Sequence, residues 1–161
     1  MNENKARRGF TLVELMVTTA IIGVLASIAI VGYVKWIDTA KLSKAETFLA
    51  TVRTQQLAYK SRFGIFLTAP VNPSGSVPAS RTFAPWETQS EWVQLGANPG
   101  RDTVEFQYET GSGTGTCVPK SGVNPTCSGI SNKKWFWVTA ESADWVLIAN
   151  SARPNVWKIE K

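Results

Sequence analysis

The sequence predicts an α+β fold in which one long N-terminal helix carries an antiparallel sheet of about four strands. Three observations predict it. The run from Phe10 to Val34, FTLVELMVTTAIIGVLASIAIVGYV, is apolar apart from the single charge of Glu14. Apolar residues then recur at spacings of three and four as far as Phe63. The last third of the chain holds one alternating segment, Val104–Glu109, and three short strand-like blocks rich in Trp, Val and Ile.

The first element is long enough to cross a membrane. At a rise of about 1.5 Å per residue, a run of about 25 residues covers roughly 37 Å, against a hydrocarbon core of about 30 Å. Thr11, Thr18, Thr19 and Ser27 do not oppose this, because hydroxyls bond back to helix carbonyls. The ordinary alternative is a buried core helix, but a chain of 161 residues has little use for so long a helix that is apolar on every side. Lys5, Arg7 and Arg8 before the span favour a cytoplasmic N-terminus, while Lys35, Lys41 and Lys44 after it weaken that bias. A carboxylate near a bilayer centre costs about 2.5–3.5 kcal/mol to insert, so Glu14 marks function. The small residue Gly9 lies before the apolar core, the reverse of an ordinary secretory signal.

The stretch R-R-G-F-T-L-V-E-L-M-V-T-T-A-I-I-G-V-L-A-S-I-A-I, beginning at Arg7, closely resembles the N-terminal signature of type IV pilins and the related pseudopilins. The resemblance covers about the first sixth of the chain and implies a class III signal processed by prepilin peptidase. It implies cleavage between Gly9 and Phe10, N-methylation of the new Phe10 amine, and an assembly role for Glu14. A physical reason for the acid stands beside it. The released α-amine, with a reference pKa of about 7.7–8.0, is cationic at neutral pH. Glu14 lies one helical turn away, so it can pair with that amine in its own subunit or in a neighbour. In low dielectric such a pair is strong, and an unpaired partner is costly. Staggered subunits would thereby have a register signal. The alternative is an acid that reaches back to the headgroups.

One departure from the family concerns the end of the apolar run. Many major pilins carry A-I-P-x-Y there, whereas this chain has Ala29-Ile30-Val31-Gly32-Tyr33. Proline would remove a backbone donor at a cost of about 3 kcal/mol, while Gly32 costs only about 1 kcal/mol. The departure leaves minor-pilin and pseudopilin roles open.

Beyond the span, Ala45, Phe48, Leu49, Val52, Gln56, Tyr59 and Phe63 form a stripe, and Gly64 is a helix stop. Prolines and glycines from Leu67 to Gly100 predict loop, with a short ordered piece at Glu91–Leu95. Val104, Phe106 and Tyr108 alternate with Glu105, Gln107 and Glu109 as one strand. Trp135–Thr139, Trp145–Ala149 and Val156–Ile159 make three more, the last two a hairpin through Ser151–Asn155. The organisation expected is a cleaved leader (1–9), a transmembrane and assembly helix (10–34), an amphipathic helix half on the head (35–63) and a globular head (64–161).

Cys117 and Cys127 enclose a turn-rich loop, T-C-V-P-K-S-G-V-N-P-T-C. In an extracytoplasmic head that spacing reads as a disulfide, and it resembles the disulfide-bounded loop of many pilins, although theirs close nearer the chain end. No histidine is present, so the usual base for a serine or cysteine nucleophile is missing, and no catalytic residues, metal site or cofactor are expected. Gly111-Ser112-Gly113-Thr114-Gly115 lacks the lysine of a phosphate loop and reads as a flexible connection. Trp135 and Trp137 share a strand face. They are core by default, and an exposed pair would be placed to stack on a glycan. The formal net charge is +5, of which the leader's Lys5, Arg7 and Arg8 against Glu3 account for two. The remainder is mildly basic and, with no basic run, is weak support for nucleic-acid binding.

Three readings stand at this stage. The first is a structural subunit of a type IV pilus, moving from the inner membrane to an extracellular filament, with other pilins, prepilin peptidase, the assembly platform and membrane lipid as partners. The second is a pseudopilin of a type II secretion system, forming a periplasmic filament. The third, from a different class, is a membrane-tethered periplasmic binding module that never polymerises. Such a tether needs neither a Gly9-Phe10 junction nor an intramembrane Glu14.

Overall fold

A computed structural model describes residues 9–121, 123, 126–127, 129–130, 134–153 and 155–161. The basic leader residues Lys5, Arg7 and Arg8, and Pro154 of the last turn, lie outside them. The chain divides into two compact units, the first ending at Ala40 and the second running Lys41–Lys161.

Helix α1 spans Leu12–Phe63, 52 residues, and so contributes to both units. In the first unit its apolar side chains are exposed on all sides, from Leu12 through Trp36. Thr18 Oγ1 donates to Leu15 O at 2.9 Å, Thr19 Oγ1 to the same carbonyl at 3.0 Å, and Ser27 Oγ to Val24 O at 2.7 Å. The hydroxyls therefore present no unpaired polarity to an apolar surrounding. The helical assignment passes through Val31 and Gly32 without interruption.

In the second unit the stripe of α1 does what its spacing predicts. Ala45, Phe48, Leu49, Val52 and Gln56 are buried. Phe63, expected to extend the stripe, is instead 63% exposed. The helix stops right behind it: Gly64 takes the left-handed conformation (φ 74°) and its N–H reaches Lys60 O at 2.8 Å.

The remaining elements are β1 (Ala69–Asn72), β2 (Ala84–Pro85), α2 (Ser90–Leu95), β3 (Thr103–Val104), β4 (Gln107–Gly113), β5 (Trp135–Glu141), β6 (Trp145–Asn150) and β7 (Trp157–Glu160). A five-stranded antiparallel sheet has the order β1-β4-β5-β6-β7, and β2 and β3 form a separate pair. The head is thus α+β with one strand more than expected in its main sheet. That strand, β1, hides in the Pro-rich stretch, because a proline sits at the sheet edge where no donor is required.

The single strand expected over Val104–Glu109 is divided. Val104 pairs with Ala84 in the small sheet, the chain bends at Glu105-Phe106, and β4 starts at Gln107. Val104, Phe106 and Tyr108 are all buried, so the alternation was real while the pairing partners changed. Gly111, Ser112 and Gly113 are not a flexible connection but the second half of β4. Gly111 lies opposite Trp137 and Gly113 opposite Trp135. A Cβ on Gly111 would lie 2.4 Å from Trp137 Cζ2, and one on Gly113 would lie 2.6 Å from Trp135 Cζ2. The glycines are where two indoles lie across the neighbouring strand.

The core on the helix side joins Phe48, Leu49 and Val52 to Tyr108, Phe136, Val138, Leu147 and Ala149. Phe48 meets Tyr108 edge-on with ring centroids 4.7 Å apart. Gln56, fully buried, donates to Leu67 O and to Thr110 Oγ1 (3.1 Å) and accepts the Leu67 N–H (3.0 Å). Its polar head therefore costs little inside the core. A smaller core of Val123, Val146 and Ile148, with Trp157 and Ile159 against it, occupies the opposite face.

Candidate functional site

Two regions carry the residues singled out above. At the N-terminus Phe10 is 83% exposed and Thr11 opens the helix. Thr11 Oγ1 accepts the Glu14 N–H at 3.2 Å, while Glu14 Oε2 accepts from Thr11 N at 3.5 Å and from its Oγ1 at 3.5 Å. This is the reciprocal T-x-x-E capping pattern, which satisfies donors that the first helical turn leaves free. The two bonds reaching the carboxylate are long, so the acid is held in place locally and keeps most of its accepting capacity. Its charge also suits the positive end of the helix dipole. The sequence reading missed this cap, whose signal was the Thr11–Glu14 spacing itself. It also missed that Tyr33 and Trp36 stack near the far end of the apolar run, with centroids 6.3 Å apart and both rings exposed. Aromatics at such an end are suited to a membrane–water interface.

The second region is the cysteine loop. Cys117 and Cys127 are joined, with Cα atoms 5.8 Å apart. Gly122, Asn124 and Pro125 inside the loop lie outside the described residues. Lys120, with 12% of its side chain exposed, enters a carboxylate pair on the sheet: its Nζ is 3.0 Å from Glu109 Oε2 and 3.0 Å from Glu141 Oε2. Lys161 approaches the other Glu141 oxygen at 2.7 Å. Burial raises the Glu141 pKa, but the hydrogen bonds and charges of Lys161 and Lys120 together outweigh it and hold the carboxyl below its ordinary value. Trp137 Nε1 donates to Val118 O at 2.9 Å, and Asn150 Nδ2 to Thr126 O at 3.0 Å. The loop is therefore anchored by a lysine, an indole and an amide as well as by its sulfurs.

That anchoring corrects the glycan idea for Trp135 and Trp137. Both are buried, at 4% and 6% exposure, and no face of the pair is open for stacking.

Residues 4–30 match the family model described as the prokaryotic N-terminal methylation motif. The chain is similar to the type IV major pilin PilA of Myxococcus xanthus, 44% identical over 66 residues, which is 39% of this chain and 30% of that one. It is also similar to a probable minor fimbrial protein of Dichelobacter nodosus, 26% identical over 151 residues, covering 92% of this chain and 91% of the relative. A type IV major pilin, PilE1, of Neisseria gonorrhoeae is 26% identical over 142 residues, 88% of this chain and 69% of the relative. The chain spans about a third of the length of the PilA protein and of the Moraxella nonliquefaciens fimbrial protein it matches, and the strong identity is confined there. No solved structure matches.

A methylation motif set on an exposed apolar helix, continued into an α+β head, defines a prepilin-type protein suited to membrane anchoring. The motif and the curated relatives, named as type IV pilins and fimbrial proteins, support a type IV pilin family for this chain.

Proposed function

We propose that this protein is a non-enzymatic structural subunit of a type IV pilus. Its leader is removed between Gly9 and Phe10, Phe10 is N-methylated, and the apolar helix packs into a filament. The methylation motif over residues 4–30, which includes Gly9-Phe10 and Glu14, carries the reading. Before assembly the helix spans the inner membrane with its leader in the cytoplasm and lipid around it; prepilin peptidase removes the leader, and the assembly platform takes the mature subunit into the filament. The Tyr33–Trp36 pair supports an interfacial end to the span. Within the filament, Glu14 of one subunit takes the Phe10 amine of another as its counter-charge. The Thr11 cap supports this role, because it orients the carboxylate without consuming it.

A minor-subunit role is favoured within that reading. Val31 keeps the backbone donor that a proline would remove, so α1 resists local melting. The similarity to a probable minor fimbrial protein extends over 91% of that relative. A pseudopilin role draws on the same residues and is separated by whether filaments appear on the cell surface. The test of processing is mass spectrometry of membrane and filament material, where the mature protein should begin with N-methylated Phe10. Intact leader in cells with an active peptidase would overturn the reading.

A further inference from the structure

In the second unit, Lys41 and Lys44 of α1 line a groove of about 70 Å³ together with Phe83, Arg101, Glu105 and Tyr108. The volume is small beside the roughly 300–1,000 Å³ of ordinary ligand pockets, so the groove admits one compact polar group and not a nucleotide. Lys41 Nζ lies 3.9 Å from Glu105 Oε1, which offsets the acid of the lining. Lys44 and Arg101 are exposed and have no ion pair among the described residues. Asp102, next to Arg101, is not part of the lining. The groove is thus left with two uncompensated positive charges.

Tyr108 adds a donor. It is 4% exposed and meets Phe48 edge-on, yet its hydroxyl has no hydrogen-bond partner among the described residues. That hydroxyl is not sealed off either, since the enclosed and unpaired side-chain atoms of the described residues are Gln89 Oε1 and Trp135 Nε1. Burial, and then the Glu105 charge, push the Tyr108 pKa above its ordinary value. The group stays protonated, and an unpartnered O–H in a positive groove calls for an anionic acceptor. Phe83, also in the lining, is 60% exposed. An exposed ring beside uncompensated cations suits the boundary between acyl chains and headgroups. Lys41 and Lys44 follow Trp36 by only five and eight residues in the chain, so an interface at Trp36 brings them close to that boundary.

We propose that this groove seats the phosphate of an anionic phospholipid headgroup. Lys44 and Arg101 supply the counter-charge, the Tyr108 hydroxyl donates to a phosphate oxygen, and Phe83 lies against the upper acyl carbons. A zwitterionic lipid carries the same phosphate but brings its own cation toward Lys44 and Arg101, which makes it the control. The proposal rests on the reading of α1 as a membrane span before assembly. It does not depend on the leader: an uncut leader would sink the processing step and leave headgroup binding unchanged, so the two failures are told apart.

The test follows the Arg101 Nε–H and the Val104–Tyr108 amide signals of the ¹⁵N-labelled full chain in zwitterionic detergent micelles. The probes are dihexanoyl phosphatidylglycerol, dihexanoyl phosphatidylcholine, inorganic phosphate and a thymidine oligonucleotide. Saturable shifts with phosphatidylglycerol, and none with phosphatidylcholine at the same concentration, are expected. Lys44→Gln and Arg101→Gln should each weaken that binding about fivefold without altering the melting temperature. Tyr108→Phe, which removes only the hydroxyl, should weaken it about threefold. Absence of saturable shifts or an equal response to phosphatidylcholine would overturn the proposal. So would equal or tighter binding of inorganic phosphate or the oligonucleotide, or indifference to any of the three substitutions.

Discussion

Replacing Gly111 by alanine is the sharpest test of how the head is packed. The new methyl would lie 2.4 Å from Trp137 Cζ2, a clash, and the strand position of that residue is fixed by pairing with Gly111 itself. The indole cannot simply swing away, because its Nε1 donates to Val118 O at 2.9 Å and its surroundings leave it 6% exposed. Overpacking of this kind costs about 1–3 kcal/mol, and losing the indole bond adds about 1 kcal/mol. An overall loss of about 2–4 kcal/mol follows, which lowers the melting temperature of a domain of about 100 residues by roughly 8–30 °C. The assay is denaturant unfolding of the full chain in micelles, read by near-ultraviolet circular dichroism. A double-mutant cycle isolates the contact. Trp137→Ala alone should cost about 3–5 kcal/mol, yet Gly111→Ala added to it should cost less than about 0.5 kcal/mol, since the obstructing ring is gone. Equal cost in both backgrounds would refute the assignment of Gly111 to ring accommodation.

Other outcomes follow from the N-terminal and loop geometry. Glu14→Ala should insert in the membrane as well as the parent or better, and should lower the ratio of surface-sheared to membrane-retained subunit. Normal shearing yield would leave Glu14 as a passenger. Replacing Cys117 and Cys127 together by serine should cost at most about 3 kcal/mol, and limited proteolysis should still find the loop partly protected, because Lys120, Trp137 and Asn150 continue to hold it. Glu141 has a folded-state pKa below its ordinary value of 4.5. Its contribution to stability is therefore complete above that value and lost as pH falls through the folded pKa. Acid unfolding curves of Lys120→Met should be flatter below about pH 4.5 than those of the parent. Identical curves would detach Lys120 from that carboxylate.

The parts of the fold that could be read from sequence are those marked by a local pattern, either a helical repeat or a short apolar run bounded by turn residues. The stripe from Ala45 to Gln56, and the strands beginning at Trp135, Trp145 and Trp157, belong to this group. The stripe follows from the helical repeat, whereas the strands at Trp135 and Trp145 follow from apolar runs that are buried on both faces. What escaped reading depended on partners distant in sequence. Gly111 and Gly113 look like a linker until Trp137 and Trp135 are set opposite them. β1 looks like loop because its pairing with β4 bypasses Pro70 and carries a register shift between Ala69 and Asn72. At the N-terminus, the Gly9-Phe10 junction and Glu14 were legible because that signal is local. Thr11 was legible too, three residues before an acid, but its hydroxyl was counted only as tolerable in an apolar helix. The Lys120 clasp was not legible, since nothing in the spacing of Glu109, Lys120 and Glu141 announces that β4 and β5 pair side by side.

The free edge of the main sheet has a consequence for crowding. β7 pairs with β6 on one side only, and along it Lys158 and Glu160 point outward between Trp157 and Ile159. Lys158 forms an ion pair with Glu46 of α1. An open strand four residues long is a template onto which another chain's strand can zip. When many heads are brought side by side, as in the filament proposed, that template would be presented repeatedly to close neighbours. Its brevity and its alternating charges discourage such zipping. The arrangement of the heads is thus left to their helices, and lateral fusion into insoluble aggregates is resisted by the strand that is most exposed to it.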